Sequence, residues 1–335
     1  MVKFIVLLLI ALLLLFLAFR GISIKAMMND IVKAKLSWVF LSFFLSFVAL
    51  ISRAIRWNLL IEPLGYQPPA RKTMYALMTG YLANLAFPRL GEVTRCGSLS
   101  KSENIPFNKL LGTVIAERVI DVISLLVCLL ITAIIEMDRL GDFLQSSILQ
   151  PILQKLASLF SSPFVTGLTI AVVLLMIAGI FYLIKKRPAK KTPGWTSIIK
   201  GMIDGVHSVR KLKRPGLFIF HSIFIWVLYY FSVYVALFAF PFSEHLGAGA
   251  ALFLLVAGGF AMSAPVQGGI GAYHLLVSQG LVLYGLAQQD GLTFATLLHS
   301  LQIILILLFG SLSLLLLFLD NRKKATTERE KSGDL

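Results

Sequence analysis

Ionisable side chains are scarce in the apolar stretches of this sequence, and those that occur there fall at spacings that let them act together. Along PRLGEVTR, Arg89, Glu92 and Arg95 stand at i, i+3 and i+6, and within AERVID the carboxylates Glu117 and Asp121 share a helix face at i, i+4 with Arg118 beside them. Charged groups next to apolar runs are costly, so they face one another or a polar cavity. The arginines offer planar guanidinium forks matched to phosphate oxygens, and the carboxylates can neutralise those arginines or receive an amine. Two readings stay open: a site for an anionic, phosphate-bearing headgroup, or an ion-pair cluster tying one helix to the next. A single cluster can serve as both. Further along, Gln267 and His274 lie close to a Pro/Gly-rich break, where Gly268, Gly269 and Gly271 would let a phosphate or a lipid chain approach the backbone or let helices pack tightly. A lone histidine on an apolar face is more often a satisfied core residue than a proton carrier.

The elements that must hold these residues are membrane helices. Of 335 residues, 58% are hydrophobic and 14% charged, and mean hydropathy is +0.86, outside the range of a water-soluble domain of this length. Between positions 217 and 319 only Glu244 and Asp290 are charged. Runs long enough to cross a bilayer lie at 4–19, 38–57, 110–135, 165–184, 217–240 and 293–319. The first has no A-x-A cleavage site and is read as a retained span. Stretches 73–87 and 248–285 are apolar but interrupted, at AFPRLGE and SAPVQGGIG. Such breaks belong where protein or a water-filled cavity satisfies the freed backbone groups. The predicted fold is an all-α integral membrane protein, a polytopic bundle of about eight segments.

Loop charge orients the bundle. The net charge is +15, and the loop 185–214 carries ten Lys/Arg against Asp204 alone, with more basic residues in the tail 321–335. Both read as cytoplasmic, and the connections around 136–164 and 241–245 read as external. The N-terminus then falls inside, which leaves Arg20, Lys25, Lys33 and Lys35 outside against the usual bias. A single domain over residues 1–320 divides into half-repeats at about 1–135 and 165–320. Each reads span, span, broken hairpin, span, with the two hairpins entering from opposite faces. The breaks share a spacing, Pro88-x-x-Gly91 and Pro265-x-x-Gly268. Paired interruptions in inverted halves mark a transporter's midplane site, although two unrelated packing kinks would give the same local pattern. Apolar stripes at 144–159 and 195–209 read as surface-lying helices, the second with Lys200, Arg210, Lys211 and Lys213 off its apolar face.

Several segments also resemble a known family. SRAIRWNLLIEPLGY, GYLANLAFPRLGEVTRCGSLS, TVIAERVIDVISLL and SAPVQGGIGAYHLL look like the landmarks of the lysylphosphatidylglycerol synthase transmembrane-region family, or flippase-like membrane proteins, in order over roughly residues 4–320. The resemblance implies a bundle related to the flippase part of the multiple peptide resistance factor, which moves aminoacylated phosphatidylglycerol between leaflets of the bacterial cytoplasmic membrane. The family's Pro-Gly-x-Gly-Glu-x-x-Arg pattern falls on Pro88, Gly91, Glu92 and Arg95, with Arg89 where a glycine is usual, and its Glu-Arg-x-x-Asp pattern on Glu117, Arg118 and Asp121. Where many members carry Pro-x-Pro-Gly-Gly-x-Gly and then a Glu, this chain has Ala264 to Gly271 followed by Tyr273 and His274.

Cys96 and Cys128 form no CxxC and the five histidines no HxxxH, so neither metal nor other cofactor is expected, and no disulfide framework. Without a P-loop or nucleophile elbow, passive or ion-coupled lipid movement is the expected activity. With no room for a soluble aminoacyltransferase, lysyl-lipid synthesis would fall to a separately encoded lipid-modifying enzyme. The expected partners are membrane lipids with anionic headgroups, not nucleic acid. Two alternatives remain from sequence: a membrane enzyme acting on a polyprenyl-phosphate or glycolipid in envelope biogenesis through Glu92, Glu117 and Asp121, and a scaffold for envelope enzymes.

Overall fold

The computed structural model describes residues 2–137, 139, 141, 150 and 208–332. The chain forms two compact units, one of residues 1–132 and 198–335 and one of residues 133–197. The expected span at 165–184 and the stripe at 144–159 lie outside the described residues, as does the basic stripe at 195–209 apart from a 3-10 turn at Ser208–Lys211.

Within the first unit the described elements are helical. They are α1 (Val2–Phe19), α2 (Ile24–Val32), α3 (Leu36–Ile61), α4 (Ala70–Ala86), α5 (Gly91–Glu103), α6 (Phe107–Ile135), whose last residues pass into the second unit, α7 (Pro215–Leu237), α8 (Ala248–Ser263), α9 (Ala272–Leu283) and α10 (Gln288–Ser332). Four stretches among the described residues are long and apolar enough to cross a membrane: Leu36–Leu64, Phe107–Ile135, Pro215–Leu237 and Gln288–Asp320. Their outward faces are apolar, as lipid requires: Phe40 and Phe44 on α3, Ile219 and Ile223 on α7, Leu308 and Leu315 on α10 are all exposed. The first apolar run forms α1, but the chain turns through 82° into α2 where the sequence reading has only a connection. Ser23 caps α2, its hydroxyl accepting from the Ala26 N–H at 3.3 Å, and Met27 is buried on the inner face.

The scaffold is the antiparallel pair α3 and α7. At one end the Lys35 N–H donates to the Ala239 carbonyl and the Lys35 ammonium meets Glu244; at the other, Arg214 pairs with Glu62 at 3.0 Å. Between them, Ser42 and Ser46 bond Ser232 at 3.0 and 2.8 Å, and Ser52 bonds His221 Nδ1 at 2.8 Å. Small hydroxyl residues let two helix backbones approach and supply the interhelical bonds that an apolar surface cannot.

Against this pair stand two hairpins whose legs are short. At 1.5 Å per residue, α5 and α9 measure about 20 and about 18 Å, less than a hydrocarbon core of about 30 Å. Both turn where the sequence places its breaks. Proline forces the preceding residue out of the helical region: Phe87 adopts φ −137°, ψ 116° and Ala264 φ −61°, ψ 144°. The first hairpin opens at the end that holds Glu62 and Arg214, where Lys72 pairs with Glu103 across its mouth at 2.6 Å and the Asn58 amide donates to the Pro68 carbonyl. The second opens at the Lys35 and Glu244 end: α8 begins a few residues after Glu244, and the α9 to α10 junction there bonds the start of α2, through Gln289 and Ser23. The two hairpins therefore enter from opposite ends, and their breaks meet. The Arg89 guanidinium donates to the Ser263 carbonyl at 3.4 Å, and a Cβ on Gly268 would stand 2.8 Å from the Leu85 side chain.

Candidate functional site

The ionisable residues of the first half converge on α6. Glu117 and Asp121, one turn apart, face α3, and two residues of SRAIRW answer them at i, i+3. Arg53 reaches Glu117 at 2.6 Å and Asp121 at 2.7 Å; Arg56 reaches Asp121 at 2.6 Å and Glu117 at 3.5 Å. From α5, Arg95 donates to the other Glu117 oxygen at 3.1 Å, and its guanidinium lies 4.8 Å from the centre of the Trp57 ring. Arg118 holds the outer edge, bridging Glu92 at 3.3 Å and Asp121 at 3.6 Å with 40% of its side chain exposed. Trp57 is fixed in turn by its indole N–H donating to Thr113 at 2.9 Å. Helix register makes this possible: each pair projects from one face of its own helix, so three helices present complementary faces to one small volume.

Four arginines (53, 56, 95, 118) face three carboxylates (92, 117, 121), a balance of +1. Glu117 is 1% exposed and Arg56 fully buried. The network leaves donors over: among the described residues, Arg56 Nε and Nη1 and Arg95 Nε and Nη2 have no hydrogen-bond partner. A buried guanidinium with unused N–H groups and a net positive surplus is matched by an oxyanion bearing one negative charge. At 1.5 Å per residue, Arg53 lies about 12 Å from the Ile61 end of α3, so the cluster occupies the third of the bundle nearest the Arg214 and Glu62 end.

Of the sequence-derived candidates, Glu92, Arg95, Glu117, Arg118 and Asp121 come together. Arg89 does not join them. It sits in the break at φ +63°, outside α5, so the expected i, i+3, i+6 face reduces to Glu92 and Arg95. A side chain at positive φ is strained, and glycine is the residue that would carry this backbone without cost. Sequence reasoning missed Arg53 and Arg56, which it did not place among the site candidates. The signal was their i, i+3 spacing, complementary to the i, i+4 carboxylates.

The second break gathers a different set. Gln267 begins the 3-10 turn Gln267–Gly269, and Gly268 and Gly271 take φ +54° and +81°. Gly271 also lies against α1, where a Cβ would come within 2.7 Å of the Ala11 carbonyl, so glycine is required there twice over. The His274 and His299 rings lie 4.9 Å apart between centres at a tilt of 54°, Tyr273 lies 4.9 Å from His299, and Phe19 lies 5.7 Å from His274. To Gln267 and His274, the polar side chains expected at this break, the structure adds His299 from α10, whose Nε2 bonds the Gly268 carbonyl at 2.9 Å. Among the described residues no group of His, Cys, Asp and Glu could hold a metal ion.

The lysylphosphatidylglycerol synthase TM region model matches residues 4–310, nearly the whole chain and both breaks. The chain belongs to this family. A UPF0104 membrane protein of Methanocaldococcus jannaschii is 28% identical over 103 residues, which cover 30% of this chain and 31% of that relative. The match thus spans about a third of the relative's length. No solved structure matches the chain. As a member of the family, the chain is a polytopic helical membrane protein.

Proposed function

We propose that this protein moves phosphate-bearing anionic lipids between leaflets, with the network of Arg53, Arg56, Arg95 and Arg118 receiving the phosphate. One observation carries the reading: a buried, arginine-rich cluster with unused N–H groups lies beside two oppositely entering hairpins whose breaks touch. Passing a phosphate through hydrocarbon is prohibitive without a polar path, and a cluster of this charge supplies one. Glu92, Glu117 and Asp121 compete with the phosphate for the same arginines and so allow its release. The acyl or prenyl chains stay in the bilayer while the two halves rock about Pro88 and Pro265, with Gly91 and the glycines of the second turn as the hinge positions. The end bearing Arg214, Lys72 and Lys101 lies at the cytoplasmic face, as loop charge requires. A separate lipid-modifying enzyme supplies or consumes the lipid.

The test uses proteoliposomes holding fluorescent anionic and zwitterionic lipids. Arg118→Gln, at the exposed edge of the network, slows movement of the anionic lipid severalfold and leaves the zwitterionic lipid near its original rate. Equal loss for both lipids contradicts an arginine site for phosphate.

A further inference from the structure

We infer that α2 is a surface-lying helix that docks on the anionic lipid headgroups of the leaflet at the Lys35 and Glu244 end, recognising their charge and no particular headgroup. On the orientation proposed above, this is the external leaflet. The inference rests on the membrane placement of α1 and does not require lipid movement. At 1.5 Å per residue the 18 residues of α1 measure about 27 Å, close to a hydrocarbon core of about 30 Å, so Phe19 ends at one membrane surface. The chain then turns through 82°, which lays α2 nearly in the plane of that surface, and α3 re-enters the bilayer from Leu36. Gln289 of α10 holds the bend: the Ser23 N–H donates to its Oε1 and its amide donates to the Ser23 carbonyl, both at 3.0 Å. In turn α1 packs on the second break, where the Ala11 carbonyl lies against Gly271. This places α2 beside the open end of the second hairpin.

The helix presents three kinds of side. Met27 and Ile31 turn inward, and Asp30, the one acid of α2, is half-buried on the side toward Asp290 of α10. Ile24, Met28 and Val32, at i, i+4 and i+8, form an apolar row that is 61%, 49% and 79% exposed. Beside this row stand Lys25 and Asn29, with Lys33 at the C-cap and Arg20 in the bend, all exposed. Lys35 is taken up by Glu244, whereas among the described residues Arg20, Lys25 and Lys33 have no carboxylate partner. An apolar row flanked by unpaired cations fits the boundary between acyl chains and anionic headgroups, the row inserting and the cations meeting phosphates. A second protein chain fits it poorly, because three side chains on a nine-residue helix fall far short of the about 800 Å² per partner that a stable interface buries. Contact with anionic headgroups also gives these basic residues a role at the end where loop charge disfavours them.

The test attaches a fluorophore singly at Met28→Cys or Asn29→Cys in the full chain with Cys128→Ala, Cys96 being fully buried. The protein is placed in phosphatidylcholine nanodiscs containing phosphatidylserine or phosphatidylglycerol. Position 28 is quenched by acyl-brominated lipid and shielded from aqueous acrylamide, and position 29 shows the reverse. When the brominated lipid is the anionic one, half-maximal quenching at position 28 needs a mole fraction at least about tenfold lower than with brominated phosphatidylcholine, and the two anionic lipids behave alike. Lys25→Gln raises that fraction about fivefold, the factor equivalent to about 1 kcal/mol per basic residue at the surface, and Arg20→Gln/Lys25→Gln/Lys33→Gln removes the preference. Equal access of acrylamide to the two positions, equal quenching by charged and neutral lipids, or a preference that survives the triple variant overturns the docking surface. A dimeric mass in nanodiscs that Ile24→Gln reduces to a monomer assigns the row to a second copy and overturns it as well. Preference for anionic lipid without lipid movement in liposomes leaves the surface standing and removes only the transport reading.

Discussion

Glu117→Gln is the most informative perturbation of the network. The Glu117 carboxylate accepts from Arg53 at 2.6 Å and Arg95 at 3.1 Å, stands 3.5 Å from Arg56, and is 1% exposed. Neutralising it leaves four arginines against Glu92 and Asp121, so the balance rises from +1 to +2 in a region that lipid and apolar side chains keep at low dielectric. Removing one partner of a buried ion pair costs about 3–5 kcal/mol, because the remaining charge is left uncompensated. At about 2 °C per kcal/mol for a large chain, the melting temperature falls by about 6–10 °C. Thermal unfolding in mild detergent, followed by tryptophan fluorescence, measures it. Arg95→Gln alone is destabilising for the complementary reason. The double variant Glu117→Gln/Arg95→Gln returns the balance to +1 and loses less than the sum of the two by about 1.5–3 kcal/mol, the coupling expected of residues in direct contact. Strict additivity, or a Glu117→Gln melting temperature within 2 °C of wild type, would refute the reasoning from buried charge.

Arg118→Gln, at a side chain 40% exposed with contacts of 3.3 and 3.6 Å, costs at most about 1 kcal/mol in the same assay, which separates its transport defect from instability. Gly91→Ala abolishes most folded yield, because the added Cβ would stand 2.2 Å from the Gly80 carbonyl oxygen in the neck of the first hairpin, whereas Gly97→Ala, with no described residue within 4 Å of the new Cβ, folds normally; size-exclusion profiles of the two distinguish them. Cysteines placed singly at Lys35 and Glu244 react with an impermeant reagent from one side of the membrane and those at Arg214 and Lys101 only from the other, with the Arg214 side cytoplasmic; labelling of all four from one side contradicts the antiparallel arrangement of α3 and α7.

Much of the architecture was legible because it is local. Pro88 and Pro265 act on their own neighbours, and Gly268 and Gly271 are needed for positive φ, so both breaks appear where the sequence places them. The apolar runs became α3, α6, α7 and α10 because a membrane helix satisfies its own backbone. Tertiary partnership was harder to read. Arg53 and Arg56 close an apolar run, where loop-charge statistics also place arginines, and only the facing helix tells an ion pair from an orientation signal. His299 lies 31 residues beyond Gly268, and no periodicity links an α10 face to that turn. Arg89 was misread for a local reason: the turn at Pro88 takes it off the helix whose face it was counted on. The turn into α2 depends on Ser23 capping and on packing of Met27, signals too short to stand out beside a strongly apolar α1.

Transbilayer lipid movement by the purified protein tests the central claim most directly. Liposomes containing the protein and a headgroup-labelled phosphatidylglycerol are treated with an impermeant quencher. Wild type renders the inner-leaflet label accessible within the assay, protein-free liposomes leave about half of it protected, and the folded Glu117→Gln/Arg95→Gln variant loses most of the activity because it alters the arginine and carboxylate set that holds and releases the phosphate. Wild-type liposomes indistinguishable from protein-free ones, or a double variant as active as wild type, would contradict the account.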